Sequence, residues 1–337
     1  MKSKNIFHSV WIILLMTVSH PVMAHAADIV PFATRNQSPL VSIFGLPAVG
    51  DPLVANAGAK EFGLGVDLAS NYVSETAAGE NIVLDGESLR ISLRGRYGLG
   101  KDLEIGMEVP FLVLGGGFLD DFIIKYHDTF GFPQGGRDTA PRNRLLYLYR
   151  KNNIDKLRIE NSSSGIGDIS LQGGWQLYKG PGESPGAVSV RAALKLPTGD
   201  SDRLQGSGST DLALWINAGK GFPLTRGHFV VYGAAGLLAM TGGNVLPDQQ
   251  QNFAGFGNFG IGWDPFSCLA LKVQADAHTP FYRDSGLKEV DSYSVQLTIG
   301  GTIALGKKTS LDIGVSEDLI VATAPDVVFH LALRRTF

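Results

Sequence analysis

From Phe62 onward, apolar and polar residues alternate with a period of two, in blocks of about ten separated by turn-forming residues. In the clearest block, residues 88–97, Leu89, Ile91, Leu93 and Tyr97 share one face, and Ser88, Arg90, Ser92, Arg94 and Arg96 share the other. The next block repeats the pattern across a tight turn at 98–101, with Leu103, Ile105, Met107, Val109 and Phe111 alternating with Asp102, Glu104, Gly106 and Glu108. Successive side chains of a strand point to opposite faces, so each block has one oily and one ionic side. Marking such blocks along the chain predicts twelve strands, near 61–71, 87–97, 102–112, 167–178, 187–196, 210–219, 228–238, 253–263, 268–279, 290–304, 309–317 and 327–337.

The connections between them alternate in length. Short ones fall at 98–101, 179–186, 220–227, 264–267 and 305–308, and mostly longer ones at 72–86, 113–166, 197–209, 239–252, 280–289 and 318–326. A soluble β-sandwich would share the alternation. Turn asymmetry, an even strand count and three arginines on one strand face instead suit a wall whose oily side meets lipid and whose ionic side meets a wet lumen. The expected fold is therefore all-β: a closed antiparallel transmembrane β-barrel of about twelve strands. It is monomeric, with both ends periplasmic and one extracellular helix-containing loop at 113–166. Within that loop, 144–151 and 156–160 form a hairpin through Asn152-Asn153, and fourteen strands is the alternative if this hairpin joins the wall.

Composition agrees with a two-faced wall. The 337 residues include 43 Gly and only 18% charged residues, against a usual charged share of about 25%. A net charge of −3 gives no support for nucleic-acid binding, and a single Cys excludes a disulfide framework or a cysteine zinc site. Lys2 and Lys4 precede an apolar run from Ile6 to Val18, followed by small residues up to Ala26. This is the layout of a secretory signal peptide over 1–26, with cleavage after Ala26.

Residues 27–60 do not read as a strand. Pro31, Pro39 and Pro47 break any ladder, yet the segment is too apolar for a free tail. It is expected either to fold back into the lumen as a plug, with Arg35, Asn36 and Gln37 as its candidate contacts, or to be a periplasmic lead-in to a barrel over 61–337. Farther on, Phe118, Leu119, Phe122, Ile123, Tyr126 and Phe130 recur at three- and four-residue spacing, which predicts an amphipathic helix over 117–130 that lids or shapes the outer mouth.

Several runs carry a resemblance: Arg35-Asn36-Gln37-Ser38-Pro39-Leu40 with Gly45-Leu46-Pro47, Gly117-Phe118-Leu119-Asp120 leading to His127-Asp128 and Gly135-Gly136-Arg137, and Leu196-Pro197-Thr198-Gly199-Asp200. Through them nearly the whole mature chain resembles a family of uncharacterised bacterial outer-membrane proteins, domain of unknown function family 3187. The resemblance implies a barrel and no established ligand or reaction. The Leu-Pro-Thr-Gly-Asp run is also similar to one in barrels assigned to uptake of aromatic compounds. The last block, with Phe329, Leu331, Leu333 and Phe337 on one face, resembles the terminal strand of outer-membrane proteins. That likeness implies that Phe337 is the signal read by the barrel-insertion machinery, and that the membrane lipid is the other partner.

The lumen-lining candidates are Arg90, Arg94, Arg96, Glu104, Glu108, Arg191, Lys195, Lys272 and Asp276. Any even-sum hairpin register brings the arginines of one strand against Glu104 and Glu108 of the next, as an ion-pair ladder that rigidifies the wall or as a charged constriction. No catalytic constellation, metal site or cofactor motif emerges. The four histidines after the signal are scattered. His127-Asp128 is the enzymatic candidate that remains, and Asp200 with Asp202 is a calcium candidate whose plainer role is to cap a turn. The expected activity is passive passage of a small-molecule solute through a gated or plugged lumen. A lipid-modifying enzyme and a structural or surface-interaction barrel are the alternatives.

Overall fold

The computed structural model describes residues 28–131, 134–181, 186–319 and 323–337. The expected signal peptide lies outside them. Among the described residues fifteen strands occur, in the order β1 Lys60–Ala77, β2 Glu80–Gly100, β3 Leu103–Gly115, β4 Leu146–Lys151, β5 Ile154–Ile159, β6 Ser163–Ile166, β7 Ser170–Lys179, β8 Ala187–Lys195, β9 Asp211–Pro223, β10 His228–Met240, β11 Phe253–Phe266, β12 Leu269–His278, β13 Ser294–Gly306, β14 Thr309–Asp318 and β15 Val327–Thr336. All but β4, β5 and β6 form a closed antiparallel ring of twelve. The ring closes where β1 pairs with β15, from Glu61 opposite Thr336 to Ser70 opposite Val327.

The wall is apolar outside and polar inside. Outward Phe62, Leu93, Leu237 and Phe259 are 58–66% or so exposed in the bare protein, at 59%, 58%, 66% and 60%, whereas inward Ser92, Asp211 and Thr302 are fully buried. A sandwich would bury the first set and expose the second. Exposing so many large apolar side chains to water would be prohibitive, so the outer face is built for hydrocarbon. Aromatic residues mark its lower edge, with Tyr97, Trp175, Phe222 and Trp263 exposed near the short turns, as membrane barrels place them at the interface.

At the long-loop end the strands outrun the lipid. The expected long connection at 72–86 is replaced by continued β1 and β2 and a two-residue turn, Ala78-Gly79, both with positive φ. The period-two signal fades there because the outward positions Ser74 and Thr76 no longer face hydrocarbon. Beyond Glu87 and its partner Gly115, β2 leaves β3, and β4 pairs with it from Asp85 to Glu80. The β4–β5 hairpin, turning on Asn152-Asn153 with φ of 52° and 61°, thus stands above the ring, which has twelve strands and not fourteen.

The strand expected at 167–178 starts later, as β7, and a short strand, β6, precedes it inside the expected loop. β7 pairs with β3 up to Glu108, β6 resumes at Phe111, and residues 167–169 bulge between them. Pro110 of β3 has no N–H to offer at this point, and its carbonyl accepts from the Gly167 N–H at 2.8 Å.

The amphipathic stretch forms α1, Asp120–Phe130, ended by Gly131 in the left-handed conformation. It lies against the outside of the wall rather than across the mouth. Phe122 meets outward-facing Phe329 edge to face at 6.2 Å. The Glu87 carboxylate of β2 accepts from the N–H groups of Phe118 and Leu119 at 2.8 and 2.6 Å, complementing the positive end of the helix. A Cβ at Gly117 would sit 1.8 Å from that carboxyl carbon, so the approach requires glycine. Arg137 binds Asp120 at 2.6 Å and Ser70 at 3.0 Å, and also pairs with Asp326. Phe118, Leu119, Arg137 and Arg144 thereby cover the polar outer positions Glu87, Ser70 and Asp85, which could not face lipid bare.

A charge placed on the lipid face should weaken the fold. Leu331→Arg, on the outer side of β15, is expected to cost about 2–4 kcal/mol, read as a lowered urea midpoint for the protein folded into lipid vesicles.

Candidate functional site

The lumen is occupied by residues 28–59. Four prolines, Pro31, Pro39, Pro47 and Pro52, keep this stretch irregular, so its backbone groups must find partners among wall side chains. The path begins beside β12, where Lys272 donates to the Val30 carbonyl at 3.1 Å and lies 3.9 Å over the Phe32 ring, and Gln274 accepts from the Phe32 N–H at 2.8 Å. Thr34 then donates to Asp67 at 3.0 Å. The Asn36 amide reaches Ser294 and the Thr323 carbonyl, at 3.3 and 2.6 Å, on the long-loop side.

After a turn over 38–44, the chain descends the opposite wall. The Gly45 N–H donates to Asp211 at 2.7 Å, Trp215 and Asn217 donate to the Val49 carbonyl at 3.0 and 2.8 Å, and Arg191 donates to the Asp51 carbonyl at 2.7 Å. Gln176 accepts from Val54 at 2.8 Å and Glu104 from Ala55 at 2.7 Å, and the Gly58 N–H reaches the Gly98 carbonyl at 2.8 Å before β1 begins.

The expected lumen charges meet in this space. Glu108 gathers three guanidiniums: Arg35 of the segment at 2.6 Å, Arg90 at 2.9 Å and Arg94 at 3.0 Å. Arg96 pairs with Glu61 at 3.1 Å and approaches Glu104 at 3.6 Å, and Arg191 also pairs with Glu104. Lys195 binds Asp168 at 2.6 Å and Asp211 at 3.0 Å. Lys272 binds Asp312 at 3.0 Å; Asp276 is not its partner but accepts from the Gln274 amide at 2.9 Å. Gln37 is buried and donates to the Arg35 carbonyl at 3.2 Å. These wall cations all have a carboxylate elsewhere on the wall, so none depends on the segment for its counter-charge.

Above this ionic belt sits an apolar layer that periodicity does not reveal. Leu40, Val41, Ile43, Phe44 and Leu46 of the segment pack against Tyr147, Tyr149, Leu246, Phe281 and Tyr282, with Phe44 stacked on Phe281 at 4.9 Å. The surrounding strands and loops are tied together through Glu80, which accepts from Tyr149 at 2.9 Å and pairs with Lys151 at 3.0 Å, and through Gln249, which donates to the Tyr149 hydroxyl at 3.0 Å. The sequence signal for this layer is the presence of Val245-Leu246 and Phe281-Tyr282 in connections that would otherwise be solvated.

The Leu-Pro-Thr-Gly-Asp run braces the wall bulge. The Thr198 hydroxyl donates to the Gly167 carbonyl and accepts from the Ile169 N–H, both at 2.9 Å, and the Gly199 N–H donates to Asp168 at 2.8 Å. Asp200 accepts from the Asp202 N–H at 3.0 Å, capping a short turn. No cluster of three metal-ligating side chains occurs among the described residues. His127 and Asp128 belong to the external helix, far from the lumen groups, and Asp128 accepts from Gln134 at 2.6 Å.

Removing the shared carboxylate should hurt more than removing one guanidinium. Glu108→Gln strands three buried cations and is expected to cost about 3–5 kcal/mol. Arg35→Gln leaves Glu108 with two partners and should cost about 1.5–3 kcal/mol. Equal urea midpoints for the two variants in vesicles would contradict this ordering.

Comparison with known proteins gives a family and a fold. The family described as "Protein of unknown function (DUF3187)" matches residues 8–337. No curated protein matches the chain. Among solved structures, the COG4313 outer membrane channel from Pseudomonas putida F1 is similar with a TM-score of 0.53 at 15% identity, over 85% of this chain and 98% of that one. The NanC porin has a TM-score of 0.41 at 5% identity, over 82% of this chain and 98% of that one. Likeness at such identities concerns the fold.

Proposed function

We propose that this chain, which belongs to the DUF3187 family, is a passive outer-membrane channel for a small solute, held shut by its own segment 28–59. The observation that carries the reading is the pairing of the lumen charges. Arg90, Arg94, Arg96, Arg191, Lys195 and Lys272 each find a carboxylate on the wall itself. The segment can therefore leave without stranding them, which a removable plug requires. The similar COG4313 protein is described as a channel, which agrees with this use of the fold. Export through the signal peptide over 1–26 and insertion through the Phe337 strand would deliver the barrel to the outer membrane, with its short turns periplasmic.

Opening is not free. Burial of a Leu, Val, Ile or Phe side chain is worth about 1.5–3 kcal/mol, so exposing the five apolar residues of the segment apex would cost on the order of 10 kcal/mol. The resting state is closed, and an input such as the solute must offset that cost.

Planar-bilayer recording tests the reading. The mature protein should show rare openings, and deletion of residues 28–58 should give a steady current. Cysteines at Asn36 and Ser294, in a Cys268→Ser background, should suppress openings when oxidised and restore them on reduction. A deletion variant that folds yet stays silent would sink the proposal.

A further inference from the structure

A cavity of about 100 Å³ lies between the segment and the wall. Its lining includes Arg94, Arg96, Arg191 and Arg334, together with Asp51 of the segment and Trp215. Arg96 and Arg334 flank β1 at Glu61 and Gly63, so the cavity sits toward the short-turn end.

Three of the four arginines hold unused donors. Arg94 Nη2, Arg96 Nε and Arg191 Nε are buried without a hydrogen-bond partner. Arg334 donates to Ser310 at 3.3 Å and has no carboxylate within ion-pair distance among the described residues. Unsatisfied buried donors, charged ones above all, are costly to retain. The guanidinium-bearing side chains line one cavity, and guanidinium forks match the oxygens of a planar or tetrahedral oxyanion, carboxylate or phosphate.

The carboxylates present do not use these donors up. Glu108 is already shared by Arg35, Arg90 and Arg94, Glu61 is taken by Arg96, and Asp312 by Lys272. Asp51 is different. Its carboxylate accepts from the Leu53 N–H at 2.9 Å and feels the fields of Arg96, Arg334 and Arg191, yet it forms no ion pair with any of them. The segment thus brings a negative group to the rim of the arginine cluster without completing it.

We propose that this cavity is a binding site for a small oxyanion, carboxylate or phosphate, and that Asp51 is a tethered stand-in which the bound anion displaces. The inference rests on reading residues 28–59 as a plug, and it names the class of solute whose arrival would loosen the segment at Asp51. A cavity of this size takes a molecule of a few heavy atoms. Water alone could also occupy it, since each molecule in the liquid fills about 30 Å³, and the test separates the two.

Full-length mature protein, refolded in detergent micelles, is titrated by calorimetry with inorganic phosphate and with sodium acetate at ionic strength fixed by sodium chloride. Saturable binding of at least one probe is expected. Arg334→Gln should weaken it about tenfold, Arg334→Lys should recover part of the loss, and Asp51→Asn should tighten it severalfold. Heat-modifiable migration on gels verifies that each variant has folded. Absence of saturable binding in both the native protein and Asp51→Asn would overturn the proposal, as would unchanged affinity in Arg334→Gln. Because binding is read without current, a silent bilayer with intact binding refutes the channel and leaves the site standing. Current without binding does the reverse.

Discussion

A strand in hydrocarbon has no water to turn to, so every N–H and C=O on its edges must meet another strand. The pairing of β1 with β15 meets that demand, and the rest of the molecule follows from it. Once the wall is closed, strand geometry sends alternate side chains to lipid and to the lumen. The inward set must then solve a crowding problem, with many charges in a small space. Glu108 with its three guanidiniums, and Lys195 between Asp168 and Asp211, are the local solutions.

The filling of the barrel has two chemistries stacked along its axis. The lower one is ionic and formed by strands. The upper one is apolar and formed by the segment apex, β4 and the long loops. They reinforce each other, since an apolar cap that excludes water lowers the local dielectric and strengthens the pairs below it. The same exclusion makes an unused donor in the belt more expensive than it would be in a wet pore. A barrel open to water at its outer end could leave arginine nitrogens to solvent; this one must satisfy them or carry the cost.

Much of the architecture could be read from alternation because lipid enforces it strictly. Blocks such as 228–238 and 309–317 map closely onto β10 and β14. Where lipid stops, so does the signal: the upper halves of β1 and β2 were hidden because nothing requires Ser74 or Thr76 to be apolar. The spacing of Phe118, Phe122, Tyr126 and Phe130 revealed a helix with an aromatic stripe but not its location, since an apolar mouth and an apolar wall attract the same stripe. Only the acids at outward positions of β2, Asp85 and Glu87, distinguish the two. Prolines set residues 27–60 apart from the strands. The arginine-lined cavity was legible only in part: Arg94, Arg96 and Arg191 stand out as lumen-facing, whereas Arg334 and Asp51 carry no local pattern, and three-dimensional closure alone brings them to the others.

The route of the segment also decides how it would respond to force. Its first limb is fastened at Lys272, Gln274, Asp67 and Glu108 in the order in which the chain passes them. Tension applied near residue 28 would load these attachments one after another, so that each breaks alone and the limb peels at low force. The apex beneath Phe281 and Tyr282 is held by many contacts that share a load at once. The same stretch of chain is therefore a zipper when drawn from its beginning and a clamp when pushed from the outer end.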